Sequence, residues 1–161
     1  SQDRSVIESF SYEEEDEAYH PFVIREGTCS GELMGGNISL LAALAGTEFA
    51  LDARDKLVFL EDIGEKPYRL DRMLTQLRQS ANLDQAKGII LGVFNDCHPD
   101  EGDFSLSLKD MLRDRLGDLG IPVYYGFSFG HVDDMCSIPV GIHATFDTSK
   151  ATLILEEKVL V

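Results

Sequence analysis

A mixed α/β domain with a strand-rich C-terminal part is the fold class this chain predicts. Three observations carry it. Leu57, Val58, Phe59 and Leu60, and later residues 88–94, are compact apolar runs that read as buried strands. Between them lies an apolar stripe at helical spacing. Past Gly126 the pattern changes to short alternating segments with no helix between them, which excludes a simple repeating strand–helix–strand array.

Taken in order, residues 1–20 are polar and carry an acidic run at 13–17, Glu13, Glu14, Glu15, Asp16 and Glu17, which reads as a solvated linker. The domain proper is expected over residues 21–161. Strand signal begins at Phe22, Val23 and Ile24. Gly27, Gly31, Gly35 and Gly36 punctuate the next stretch. Asn37 then caps a short helix with Ile38, Leu41, Leu44 and Ala45 on one face, and Gly46 is placed to end it. The run at 57–60 leads to Glu61 and Asp62 at its C-terminal end. Pro67 suits the first turn of the next helix, whose stripe is Leu70, Met73, Leu74 and Leu77. Residues 88–94 are apolar throughout, as a strand covered on both faces is. A polar loop follows at 95–104. Ser105 or Ser107 can cap a third helix with Leu108, Met111, Leu112, Leu116 and Leu119 facing inward, and residues 121–125 return as a strand. Ile138, Val140 and Ile142 alternate, as do Ala144 and Phe146, then Leu153 and Leu155, as successive antiparallel strands would.

Composition removes several function classes. With 161 residues and 43% apolar content the chain can bury one core. The net charge of −15, with Lys and Arg never clustered, argues against nucleic acid and against anionic membranes as partners. No apolar run approaches the ~20 residues of a membrane span, and no basic segment followed by an apolar one opens the chain. Three cysteines without CxxC spacing point to a reducing compartment, so a cytoplasmic location is expected.

Residues 126–130, Gly-Phe-Ser-Phe-Gly, match the GxSxG nucleophile elbow. An elbow needs a helix after its serine. His131 to Cys136 carry no helical stripe and Pro139 follows, so a glycine-rich turn is expected instead of an esterase built on Ser128. Such a turn presents His131, a ring able to take a proton from a hydroxyl and return it to a leaving amine. Glu61, at the end of a buried strand, is placed to accept the Nδ1 proton of a histidine and fix its tautomer. Surface exposure of His131, and acids that favour the next helix's N-terminus, are the plainer readings of the same residues; Asp62 and Glu65 fit the second better than Glu61 does. Arg69 and Arg72 pair with nearby acids or receive a substrate carboxylate. His98 lies in the polar loop and His143 in an alternating strand. Cys97, His98, His131 and Cys136 match no metal-binding spacing. Gly35, Gly36 and Asn37 stand before a helix, where an anion can bind, yet form no phosphate-loop pattern.

Five ordered landmarks resemble one family. They are Gly31-x-Leu33-x-Gly35-Gly36-Asn37; Gly46-Thr47; the unbroken run at 59–74, Phe-Leu-Glu-Asp-Ile-Gly-Glu-Lys-Pro-Tyr-Arg-Leu-Asp-Arg-Met-Leu; residues 88–92, Gly-Ile-Ile-Leu-Gly; and Gly126-Phe127-x-x-Gly130-His131. From about Gly31 onward the chain resembles the C-terminal domain of the L,D-carboxypeptidases, which include murein tetrapeptide carboxypeptidases and microcin-immunity peptidases. The resemblance implies a three-layer swivelling β/β/α domain. It implies a Ser-His-Glu triad, with serine on an N-terminal domain and the other two members on this one. Carried onto this sequence, the glutamate falls on Glu61, with Glu65 as a fallback, and the histidine on His131. It implies removal of terminal D-Ala from murein tetrapeptides in peptidoglycan recycling, with no metal or organic cofactor. The missing N-terminal domain is then the chief partner, and the isolated chain is expected to be inactive. A homodimer is expected of the full-length protein. A microcin-immunity peptidase and a non-catalytic peptide-binding module are the alternatives.

Overall fold

The structure, a computed structural model, describes residues 6–9, 19–133 and 135–156. The acidic run at 13–17 lies outside the described residues. Among them, eight strands form one mixed sheet: β1 (Val6–Glu8), β2 (Phe22–Arg25), β3 (Thr28–Asn37), β4 (Lys56–Glu61), β5 (Gly88–Val93), β6 (Val123–Gly130), β7 (His143–Asp147) and β8 (Thr152–Leu155), in the order β1-β8-β7-β3-β4-β5-β6-β2. The middle strands β3, β4, β5 and β6 are parallel, and the flanking pairings are antiparallel. Parallel neighbours need crossovers. Helices α1 (Ile38–Ala43), α2 (Pro67–Ser80) and α3 (Leu108–Leu116) provide them.

The two-residue period of a strand sorts side chains onto opposite faces. Val58, Leu60, Ile89 and Leu91 meet Leu70, Leu74, Leu77, Met111, Leu112 and Leu116 of α2 and α3 in one core. Leu57, Phe59, Ile90, Tyr124 and Phe127 meet Phe146, Leu153 and Leu155 of the returning strands in a second core. The sheet therefore curls over itself. Ser9, just past β1, bridges antiparallel to Phe127 of β6, and the Tyr124 hydroxyl donates to Ser9 Oγ at 3.2 Å. The layers are helices, parallel strands and returning strands, the β/β/α arrangement expected. Each fully buried Leu, Ile or Phe in these cores contributes about 1.5–3 kcal/mol.

Local signals set the helix starts. The Asn37 side chain accepts the Leu40 N–H, Pro67 opens α2, and Ser107 rather than Ser105 caps α3 by accepting the Asp110 N–H. Helix α1 stops at Ala43, short of the stop expected at Gly46.

Four segments depart from the sequence expectation. The glycine-punctuated stretch is one ten-residue strand, β3. Gly31 and Gly35 serve close approach, not turns: a Cβ on Gly35 would lie 1.9 Å from the Phe59 carbonyl oxygen of β4. Residues 126–130 are not a turn either. Strand β6 runs through them to Gly130, with a register irregularity opposite Leu91 and Gly92. Ile138 to Ile142 form no strand; Ile138 and Ile142 pack on the second core, and Leu33 of β3 ties this segment down through main-chain bonds to Gly141 and Ile142, each 2.8 Å. Within the polar N-terminal stretch, Val6–Glu8 pairs with β8 because Ile7 is buried in the second core.

Candidate functional site

Parallel neighbours end on the same side, so the C-terminal ends of β4, β5 and β6 share one rim of the sheet. Glu61 closes β4 and falls on the same face as Leu57 and Phe59. His131 follows the last residue of β6. Strand β5 lies between, so the two side chains must reach across two strand spacings, roughly 9.6 Å. They meet: His131 Nδ1 lies 2.9 Å from Glu61 Oε2. The glutamate side chain is 12% exposed and the imidazole 52% exposed. An ionised carboxylate can only accept, so Nδ1 carries the proton of the neutral ring and Nε2 carries the lone pair.

Gly130 makes this meeting sterically possible. Its φ is +111°, and a Cβ there would lie 2.9 Å from the Val93 carbonyl oxygen and 3.3 Å from Glu61 Oε2. The second glycine of the GxSxG pattern thus clears space for the glutamate. Ser128 itself sits inside β6 and is 7% exposed, and its carbonyl accepts the Cys136 N–H at 2.6 Å. No helix follows among the described residues 131–142. Both features rule out an elbow.

The neighbouring acids have other work. Asp62 points to the helix-covered face and is 2% exposed. It accepts from Asn37 Nδ2 (3.1 Å), the Ser39 N–H (2.9 Å), the Ser39 hydroxyl (2.8 Å) and the Ile63 N–H (2.9 Å). It therefore secures the start of α1, the helix before it, and not that of α2, the helix after it, as the acid-cluster reading expects. Glu65 is 3.5 Å from Arg69, whose Nε donates to the Tyr68 hydroxyl at 3.1 Å. Glu61, not the fallback Glu65, is the acid brought to His131. Arg72 is exposed on α2, while Asp71 of the same helix pairs with Arg115.

The remaining candidates scatter. His98 lies 3.1 Å from Asp96 in the exposed loop. His143 begins β7 and is exposed. Cys97 is buried, which pushes its thiol up to about 11. Among the described residues no group of three His, Cys, Asp or Glu side chains is placed to hold a metal ion. No helix among them is long and apolar enough to cross a membrane. The anion-site reading of Gly35, Gly36 and Asn37 gives way to a strand end whose asparagine caps α1 and holds Asp62.

One residue at this rim is silent in the sequence. Asn95, two residues past the end of β5, donates from Nδ2 to the His131 carbonyl at 3.1 Å, and its main-chain carbonyl accepts the Gly64 N–H at 2.9 Å. Its position just past a buried strand, level with Ile63 of the loop after Glu61, is the signal that could have marked it.

Comparison with known proteins gives a consistent result. Residues 30–146 match the family described as the LD-carboxypeptidase C-terminal domain. The chain is 42% identical over 130 residues to the probable murein peptide carboxypeptidase of Bacillus subtilis, covering 81% of this chain and 41% of that protein. It is 35% identical over 121 residues to the murein tetrapeptide carboxypeptidase of Pseudomonas aeruginosa, covering 74% and 39%. Among solved structures, the muramoyltetrapeptide carboxypeptidase from Oxalobacter formigenes superposes with a TM-score of 0.77 at 32% identity, over 94% of this chain and 49% of that one. The protein MccF in complex with glutamyl sulfamoyl guanosine superposes with a TM-score of 0.74 at 25% identity, over 89% and 42%. The chain spans about two-fifths of the length of the curated relatives it matches.

Proposed function

The chain belongs to the LD-carboxypeptidase C-terminal domain family, and from that premise we propose that it is the acid–base half of a serine carboxypeptidase. The observation that carries this reading is the 2.9 Å contact between His131 Nδ1 and Glu61 Oε2 at the rim of the parallel strands. The serine nucleophile belongs to an N-terminal half absent from this chain. Exposed apolar side chains on the segments that follow the strand ends, Ile63, Tyr68, Phe104 and Met135, offer that half a surface to cover. The substrate is a murein tetrapeptide, cut before its terminal D-Ala during peptidoglycan recycling in the cytoplasm. The full-length protein is a homodimer.

The chemistry follows from the dyad. Glu61 holds Nδ1–H, so Nε2 accepts the proton of the serine hydroxyl as its oxygen attacks the scissile carbonyl. The resulting imidazolium, stabilised by Glu61, returns that proton to the nitrogen of D-Ala as the amide C–N bond breaks. Water then attacks the acyl-enzyme, with Nε2 as base, and frees the shortened peptide and the serine. This half supplies no nucleophile, so alone it is inert.

In the full-length protein, His131→Ala is expected to lower D-Ala release from a murein tetrapeptide by about a thousandfold or more; undiminished release would sink the proposal. This chain treated with a fluorophosphonate is expected to show no adduct by mass spectrometry. An adduct on Ser128 would overturn the two-half reading. The likeness to MccF favours a second substrate class, an aminoacyl sulfamoyl nucleoside of the kind that protein holds. Comparing kcat/KM for glutamyl sulfamoyl guanosine and for a murein tetrapeptide separates the two.

A further inference from the structure

We infer that Asn95 is a positioning residue for His131, holding the histidine's main chain with its side-chain amide and the loop after Glu61 with its own main chain. The inference rests on the reading of Glu61 and His131 as the acid–base pair.

Strand β5 gives no side chain to that pair, yet it lies between the strands that do. Asn95 stands just past its end. Towards β4, its carbonyl accepts the Gly64 N–H at 2.9 Å, and it forms a parallel bridge with Ile63. Towards β6, its Nδ2 donates to the His131 carbonyl at 3.1 Å. Both members of the pair are thus tied to one residue, one through the chain following Glu61 and the other through His131 itself.

The orientation of the amide follows from the partners' chemistry. A main-chain carbonyl can only accept, so the NH2 group must face His131. Oδ1 then faces the Tyr19 hydroxyl, which donates to it at 3.3 Å. Tyr19 therefore orients the amide that holds His131. Packing does little of this work, because the imidazole is half exposed and Gly130, with no side chain, precedes it. A glycine hinge beside an exposed ring leaves hydrogen bonds to define where the ring sits.

Asn95→Asp is the discriminating substitution. It keeps the size and the main-chain links and turns the donor to the His131 carbonyl into a negatively charged acceptor. In this chain, nitrogen-15 NMR reads the His131 tautomer at a pH where the ring is neutral. In the full-length protein, D-Ala release reads kcat and KM. The expected result is a wild-type ring held with its proton on Nδ1, a mixed tautomer in N95D, and kcat lowered about 10- to 100-fold with KM within about twofold. The melting temperature stays within about 2 °C of wild type. Tyr19→Phe moves tautomer and kcat in the same direction by less, about 2- to 5-fold in kcat, and serves if N95D does not fold. An unchanged tautomer in both variants overturns the inference, whether or not the melting temperature falls. If His131→Ala keeps full activity, the acid–base reading fails, and the tautomer still decides whether Asn95 holds the ring.

Discussion

Glu61 and Asp62 are adjacent in the chain and lie on opposite faces of the same strand end. On the helix-covered face, Asp62 is buried and accepts four hydrogen bonds from Asn37, Ser39 and Ile63. On the other face, Glu61 is sheltered at the rim and turned to a half-exposed histidine. A carboxylate saturated with donors from its own fold is a structural anchor. A carboxylate facing a titratable ring at the rim of the sheet is the arrangement the proposed acid–base pair needs. The pleat decides which is which, since neighbouring side chains on a strand point apart.

Substitutions can break this contrast, beginning with the largest effect. Glu61→Gln in the full-length protein is expected to lower kcat by about three orders of magnitude, since the amide no longer stabilises the imidazolium or enforces its tautomer; steady-state D-Ala release checks it. Asp62→Ala leaves the Ser39 and Ile63 N–H groups without their acceptor and should destabilise this chain by about 3 kcal/mol, read from its urea unfolding midpoint. Gly130→Ala forces a Cβ at φ +111° against the Val93 carbonyl and Glu61. It should cost about 2 kcal/mol and also lower activity, which unfolding and kinetics together report. The smallest effect sharpens the contrast most: Glu61→Gln should change stability by less than about 1 kcal/mol in the same unfolding experiment, because its partner is half exposed to water. If Glu61→Gln unfolds the chain while Asp62→Ala does not, the two roles are the reverse of those assigned here.

Legibility in the sequence also divides by region. The parallel centre is readable. Runs such as 57–60 and 88–94 are buried on both faces, and helices α2 and α3 carry stripes that only one period explains. Strand β3 is hidden because Gly31 and Gly35 look like punctuation until β4 is placed against them. The returning layer is partly misread. Alternation at Ile138, Val140 and Ile142 mimics a strand, whereas this segment is fastened to Leu33 and packs without a ladder of its own. The three residues of β1 are too few to show a period. At the site, a strand end and a glycine-flanked position offer Glu61 and His131 as candidates, and the family resemblance selects them. Asn95 is not singled out, because a polar residue in a polar loop has no pattern to break.

The sequence by itself determined the helix starts at Asn37 and Pro67, narrowed the third to Ser105 or Ser107, and marked the buried parallel strands. Those properties are local: caps and periodicities act within a few residues. Only the tertiary structure decided that GxSxG is the end of a strand and no elbow, that Gly130 makes room for Glu61, and that Asp62 secures the helix before it. It alone brought Asn95 between Gly64 and His131. Each of these depends on which strand lies beside which, and contacts between residues tens of positions apart leave no period in the chain that makes them.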